Sequence, residues 1–187
     1  MYVIFGYGHL VQNQYIEKLR SQDLIRVEMV CLGNICRSPM AAAVLHNKTR
    51  GISQPRFEVT SSGTSGWHDG EDAHHLSRKT WEAAGYTYSH TSRKFQRSFF
   101  DEVDLILPMD LTNRANILNG ARTDADRAKV VMLRSFDLEL AHIDPTSPEA
   151  ERLQVPDPWG ETIEAYREVL EMIELATDGL LKVLLLK

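Results

Sequence analysis

The stretch Cys31-Leu32-Gly33-Asn34-Ile35-Cys36-Arg37-Ser38-Pro39 follows a short β-rich run, Val27–Val30, and opens a helix. Ser38 as N-cap and Pro39 at the first helical position mark that start, with Met40-Ala41-Ala42-Ala43-Val44-Leu45 behind them. A tight loop that feeds a helix N-terminus aims several backbone N–H groups at one point, and the helix dipole adds roughly half a positive charge. Gly33 permits the turn, and Arg37 supplies a planar fork able to hold two phosphate oxygens at once. A tetrahedral oxyanion fits such a cradle.

The same field acts on Cys31 at the base of the loop and favours its thiolate, the species that attacks phosphorus. Ser38 is placed to donate a hydroxyl hydrogen bond to it, and the Asn34 side chain to brace the loop from inside. A lone cysteine near a strand end is more often a buried, inert thiol. Cysteine, five residues, arginine and then Ser-Pro at a helix start is a far more specific pattern. A metal site is the weaker rival, because no second cysteine pair exists and the seven histidines supply no matching ligand spacing. Cys36 has two candidate roles: a small packing residue, or the partner of an oxidised Cys31 in a reversible disulfide.

Beyond the loop the pattern alternates strand and helix. Strands are expected over Val27–Val30, Phe57–Ser61, Val103–Leu107 and Lys129–Leu133. Helices are expected over Ala73–Ala84, ending at Gly85, and Asp110–Leu118. The last helix is the clearest, with Ile163, Tyr166, Leu170, Ile173 and Ala176 on one stripe. Alternation of this kind implies an α/β fold, a parallel sheet with helices on both faces and ligands at the carboxyl ends of the strands. Residues 1–25 read as an N-terminal extension, flexible or loosely docked, ahead of one domain over 26–187. Its Gly6-Tyr7-Gly8 lacks the third glycine of a dinucleotide fingerprint.

Phosphoryl transfer also needs an acid for the leaving oxygen and then a base for the hydrolytic water. The long segment Arg134–Trp159 offers Val155-Pro156-Asp157-Pro158-Trp159, where flanking prolines restrict the backbone around Asp157. Asp137 and Asp144 are the alternatives.

Composition narrows the rest. The chain has 187 residues, 43% of them hydrophobic, which supports a single globular domain with a sizeable core. A net charge of −5 argues against nucleic-acid binding through a broad basic surface. No apolar run approaches the ~18 residues of a membrane span, and Met1–Leu10 lacks the charge pattern of a secretory signal. Two cysteines make no disulfide framework, so the expected compartment is the cytoplasm.

Cys31 through Pro39 resembles the phosphate-binding loop of the low-molecular-weight protein-tyrosine phosphatases. Further matches follow in that family's order: Ser61-Ser62-Gly63-Thr64 with Trp67-His68, Ser89-His90, Asp104 with Met109-Asp110, and Asp157-Pro158-Trp159. The resemblance covers about residues 26–187. It implies a four-stranded parallel sheet of order 2-1-3-4, with the loop after strand 1. It implies Cys31 as nucleophile, a phosphocysteine intermediate, Asp157 as acid then base, and Arg37 as transition-state clamp. Leu32, Gly33, Asn34, Ile35, Cys36, Arg37 and Ser38 would line the phosphate. Trp67 and Trp159 would sandwich a phenyl ring, ordinary packing being their competing role. A phosphotyrosine-bearing protein is the implied substrate and inorganic phosphate the product, with no metal or organic cofactor and neither nucleic acid nor membrane as partner.

Three features depart from the family pattern. Trp159 is followed by Gly160 rather than a second aromatic residue, Ala42 stands where many relatives carry glutamate, and residues 1–25 have no counterpart. Arsenate reductases share the fold and loop but need further cysteines, which are absent after Cys36. Arginine-phosphate phosphatases tend to carry threonine where this loop has Ile35. A non-catalytic phosphopeptide-binding module would need neither Cys31 nor Asp157.

Overall fold

A computed structural model describes residues 14–186. Its frame is a parallel sheet of order β2-β1-β3, built from β1 (Leu24–Cys31), β2 (Arg56–Gly63) and β3 (Leu105–Pro108). The registers run Leu24↔Arg56 to Cys31↔Gly63 and Val27↔Leu105 to Val30↔Pro108. β1 is therefore paired on both sides, and its side chains alternate between two cores. Val27, Met29 and Cys31 join the larger core. Val30 joins a second, with Phe100, Val103, Ile106, Ile117 and Val130.

The helices cover both faces, as the alternation requires. α1 (Arg37–Thr49) buries Met40 through Leu45 without interruption, including Ala42. α2 (His75–Ala83) and α6 (Ile163–Leu184) pack on the same side, α6 through Tyr166, Val169, Leu170, Ile173, Ala176 and Leu180. Each large apolar side chain so buried contributes about 1.5–3 kcal/mol relative to exposure. On the opposite face Phe100, from the short α3 (Phe99–Glu102), and Ile117, from α4 (Leu111–Gly120), reach the second core. A further short helix, α5 (Asp124–Ala128), leads to Val130.

The expected fourth strand does not form. Lys129–Leu133 contributes a single parallel bridge, Val130 to Ile106, and the chain enters a 3₁₀ turn at Leu133–Phe136. The cause lies in β3. Ile106 uses both backbone groups, its N–H donating to Lys129 O at 2.9 Å and its carbonyl accepting from Val131 N–H at 3.0 Å. The next donor facing that edge would be residue 108, and Pro108 has no N–H to offer. β3 itself starts later than the expected Val103–Leu107, because Val103 ends α3.

Of the 25 residues read as an extension, 14–25 are described, and Gly6-Tyr7-Gly8 lies outside the described residues. Residues 14–19 are helical, with Ile16 and Leu19 buried in the larger core. The Tyr15 hydroxyl donates to Asp104 O at 2.6 Å, and Arg20 Nε donates to Val183 O at 2.8 Å.

The long segment after Arg134 is fixed by contacts of its own. It holds a second 3₁₀ turn, Pro148–Leu153, over a small core of Met132, Leu140, Ile143 and Leu153. Arg134 Nη1 donates to the carbonyls of Arg152 and Gln154, and Val155 N–H donates to Met109 O at 2.8 Å. That last bond ties the approach to Asp157 onto the carboxyl end of β3. Among the described residues, no helix is long and apolar enough to cross a membrane.

Candidate active site

Every carbonyl from Cys31 to Cys36 is bonded to something outside the loop. Cys31 O accepts from Thr64 N–H, Leu32 O from the N–H and hydroxyl of Ser65, and Gly33 O from the Ser92 hydroxyl. Asn34 O accepts from His90 Nε2, Ile35 O from His74 N–H, and Cys36 O from the Ser77 hydroxyl. In a trans peptide the following N–H points opposite to the carbonyl. Six carbonyls facing out therefore turn the N–H groups of residues 32–37 inward, over the Cys31 sulfur. Asn34 N–H shows this directly, 3.2 Å from Sγ. The first turn of α1 carries no acidic side chain and no side-chain cap, so its own orphaned donors and dipole add to the cradle.

Two residues make the curvature possible. Asn34 sits at φ +57°, a left-handed conformation that asparagine tolerates better than most residues. Its buried side chain is bonded at both ends: Oδ1 accepts from Arg93 N–H at 3.0 Å, and Nδ2 donates to Ser38 Oγ at 2.8 Å and Ser61 Oγ at 2.9 Å. Gly63, at the end of β2, lets the loop lie against it. A Cβ there would stand 2.7 Å from Leu32 O and 3.0 Å from the Gly33 carbonyl carbon.

Ser38 Oγ lies 3.1 Å from Cys31 Sγ. Oγ accepts from Asn34, and its own proton has two acceptors within reach, the sulfur and Ser62 O at 3.4 Å; a thiolate is the stronger of the two. Donors from Asn34 and Ser38 thus converge on it. Cys31 and Cys36 are both free and buried. Burial pushes the Cys36 thiol up to about 12, and its sulfur faces the Tyr166 hydroxyl at 3.6 Å. Tyr166 in turn meets His74 Nδ1 at 2.9 Å.

Arg37 is 3% exposed. Nη1 is held by Asp110 at 2.7 Å and Val155 O at 3.1 Å, and Nη2 donates to Asp157 Oδ2 at 2.7 Å. Nε is buried with no hydrogen-bond partner. Although burial opposes the charge, the neighbouring Cys31, Asp157 and Asp110 outweigh it and raise the guanidinium pKa. With Nη1 fixed, the edge formed by Nε and Nη2 is the one left for an oxyanion.

A cavity of about 360 Å³ opens above the sulfur, lined by Cys31, Leu32, Gly33, Ile35, Cys36, Trp67, His68, Asp157 and Trp159. Trp67 and Trp159 are 75% and 65% exposed, so neither belongs to a core. The alternative aspartates lie elsewhere. Asp137 accepts from Glu139 N–H and pairs with Arg134, while Asp144 holds Thr146 in a turn. From sequence, His68, His90 and Asp110 stand only as matches to the family's order, with no role attached, and Arg93 is not singled out. Asp110 both caps α4, accepting from Asn113 N–H at 2.6 Å, and grips Arg37. A carboxylate one residue before a helix was its only local signal.

A strand-to-helix loop that turns its amides over a cysteine, beside a buried arginine whose Nε is unpartnered, defines an oxyanion-binding α/β protein with a cysteine in its cradle. The sequence model described as low molecular weight phosphotyrosine protein phosphatase matches residues 26–187. The chain is 40% identical over 157 residues to a low molecular weight protein-tyrosine-phosphatase of Streptomyces coelicolor, covering 83% of this chain and 91% of that one. A crystal structure of a protein tyrosine phosphatase from Entamoeba histolytica superposes with a TM-score of 0.73 at 28% identity, covering 84% and 95%. An arginine phosphatase from Geobacillus stearothermophilus superposes with 0.69 at 28%, covering 84% and 91%. The chain belongs to the low-molecular-weight phosphotyrosine protein phosphatase family.

Proposed function

We propose that this protein is a cysteine-dependent protein-tyrosine phosphatase that hydrolyses aryl phosphate monoesters through a phosphocysteine. In the first step Cys31 Sγ attacks phosphorus, the S–P bond forms and the P–O bond to the aryl group breaks. Asp157 delivers a proton to the departing oxygen. In the second step Asp157 takes a proton from water, whose oxygen bonds to phosphorus as the S–P bond breaks, releasing inorganic phosphate. The inward amides of residues 32–37 and the Nε/Nη2 edge of Arg37 stabilise the charge on the equatorial oxygens in both steps. Ser38 and Asn34 steady the sulfur as it becomes the leaving group. Its chief support is one observation: Asn34 N–H and the Ser38 hydroxyl meet at a sulfur enclosed by an oxyanion cradle.

The phosphoarginine alternative has support in the Geobacillus structure. Trp67 and Trp159 stack an aryl ring and a guanidinium alike; what favours the aryl ester is Ile35, an apolar side chain in the cavity wall where arginine-phosphate phosphatases tend to carry threonine. Hydrolysis rates on matched phosphotyrosine, phosphoserine and phosphoarginine peptides test the choice. Phosphotyrosine is expected to be fastest, with Cys31→Ser inactive on all three. Trp67→Ala or Trp159→Ala should raise KM for phosphotyrosine by about 2- to 12-fold, the worth of one aromatic contact. Preferential hydrolysis of phosphoarginine would transfer the assignment to that class.

A further inference from the structure

Glu28 is a carboxylate in the middle of the central strand with no exposed side-chain surface. It projects on the face of Val30, between Thr60 of β2 and Ile106 of β3. Burying such a group is costly unless it is paired and hydrogen-bonded, and an apolar side chain would serve β1 without that cost. Its Oε2 accepts from the Thr60 hydroxyl and from Arg93 Nη2, the latter at 2.8 Å. Burial raises its pKa, against the opposing pull of Arg93, Ser62 and Thr60.

Arg93 is the link to the loop. Its side chain also donates from Nε to Ser61 O at 3.2 Å and lies over the Phe99 ring at 4.4 Å. Its backbone N–H donates to Asn34 Oδ1. That bond decides which end of the Asn34 carboxamide is oxygen, and hence that Nδ2 is the end facing Ser38. A chain follows: Arg93 N–H to Asn34 Oδ1, Asn34 Nδ2–H to Ser38 Oγ, and Ser38 Oγ against Cys31 Sγ, the Ser38 hydroxyl having the sulfur at 3.1 Å and Ser62 O at 3.4 Å as acceptors. The first two donors run toward the sulfur and set the hydroxyl beside it. The chain starts at a residue whose side chain is fastened to a buried carboxylate.

We propose that Glu28 and Arg93 are positioning residues for the phosphate loop: their ion pair fixes the backbone amide that orients Asn34, and through it the donor to Cys31. The inference rests on the phosphatase reading for its kinetic consequences, but the orientation of the chain is independent of turnover. Neither residue touches substrate.

The test uses the full chain and four variants: E28L, E28Q, R93M and E28L/R93M. Removing Arg93 alone strands a buried carboxylate and risks the fold, whereas E28L leaves a partly exposed arginine that solvent can accommodate. Folding is checked by circular dichroism and a cooperative melt. Folded E28L is expected to lose about 10- to 100-fold in kcat on p-nitrophenyl phosphate, the cost of a misplaced reacting group, with KM within about twofold. The alkylation rate of Cys31 by iodoacetate should fall too, and E28Q, which keeps an acceptor for Arg93, should recover most of both losses. The double variant should be no slower than the slower single one, as expected of residues acting as a unit. Wild-type kcat and alkylation rate in folded E28L, or additive losses in the double variant, would overturn the proposal. Slowed alkylation in E28L beside a wild type that hydrolyses no phosphomonoester would support the pair and defeat the phosphatase reading instead.

Discussion

Asp157 Oδ2, in the wall of the cavity, and the buried Arg37 Nη2 are joined by an ion pair of 2.7 Å. Arg37 is otherwise held on its far side, by Asp110 and Val155 O through Nη1. In the proposed mechanism an arriving phosphate takes Nη2 from Asp157, and the freed group, once protonated, stands as the acid beside the leaving oxygen. Binding of the phosphoryl group and release of the proposed acid are thus one event.

Replacing Asp157 by Ala separates its two effects. kcat on an aryl phosphate should fall by about 10²- to 10⁴-fold, the usual contribution of a positioned acid–base group. Inorganic phosphate, by contrast, should bind at least as tightly as in wild type, because its competitor for Nη2 is gone. Weaker product inhibition in Asp157→Ala would show that the carboxylate does not compete for that edge.

Gly63 is the second test of the cradle. A Cβ at this position meets backbone atoms of Leu32 and Gly33, which cannot swing away as a side chain does. Gly63→Ala should therefore displace the loop, costing about 10²-fold in kcat/KM and weakening phosphate binding. The melting temperature serves as the control. A variant that melts normally and still turns over at the wild-type rate would contradict the close fit.

Acid stability has a definite sign. His46, His74 and His90 have pKa values lowered chiefly by burial, and His90 already donates Nε2–H to Asn34 O as a neutral ring. An unfolded chain takes up these protons near the ordinary imidazole value of about 6.5. The stability associated with the neutral rings is fully present above that pH and is lost as pH falls toward the folded-state values. His90→Gln keeps a donor but has no proton to gain. Its urea midpoint relative to wild type should rise as pH drops from 7.5 to 5.5 (round figures either side of the imidazole range). A constant difference over that range would remove His90 from the effect.

The loop was legible because its residue types are its chemistry: cysteine, glycine, arginine and a helix start are adjacent in the chain. β1, β2 and the last helix were legible for a different reason, the match between apolar period and burial. The fourth strand misled because Lys129–Leu133 has the composition of a strand, while the limit on pairing sits elsewhere, in the missing N–H of Pro108. Asn34 and Ser38 were legible as supports of the loop, but what holds Asn34 in turn was not, for a related reason. Asn34 meets His90 and Arg93 at separations of 56 and 59 residues, each time with a backbone group as one partner, which carries no sequence signature. Glu28 gave no sign either, since a single glutamate within an apolar strand reads as a solvent-facing position.

The phosphocysteine is the most direct test of the whole account. Wild-type protein mixed with excess aryl phosphate is quenched in acid within the steady state and digested, and the peptide carrying Cys31 is weighed. One phosphoryl group is expected on that peptide, bonded to sulfur, and none in Cys31→Ser. Turnover with no phosphate on Cys31, or turnover that persists in Cys31→Ser, would contradict it.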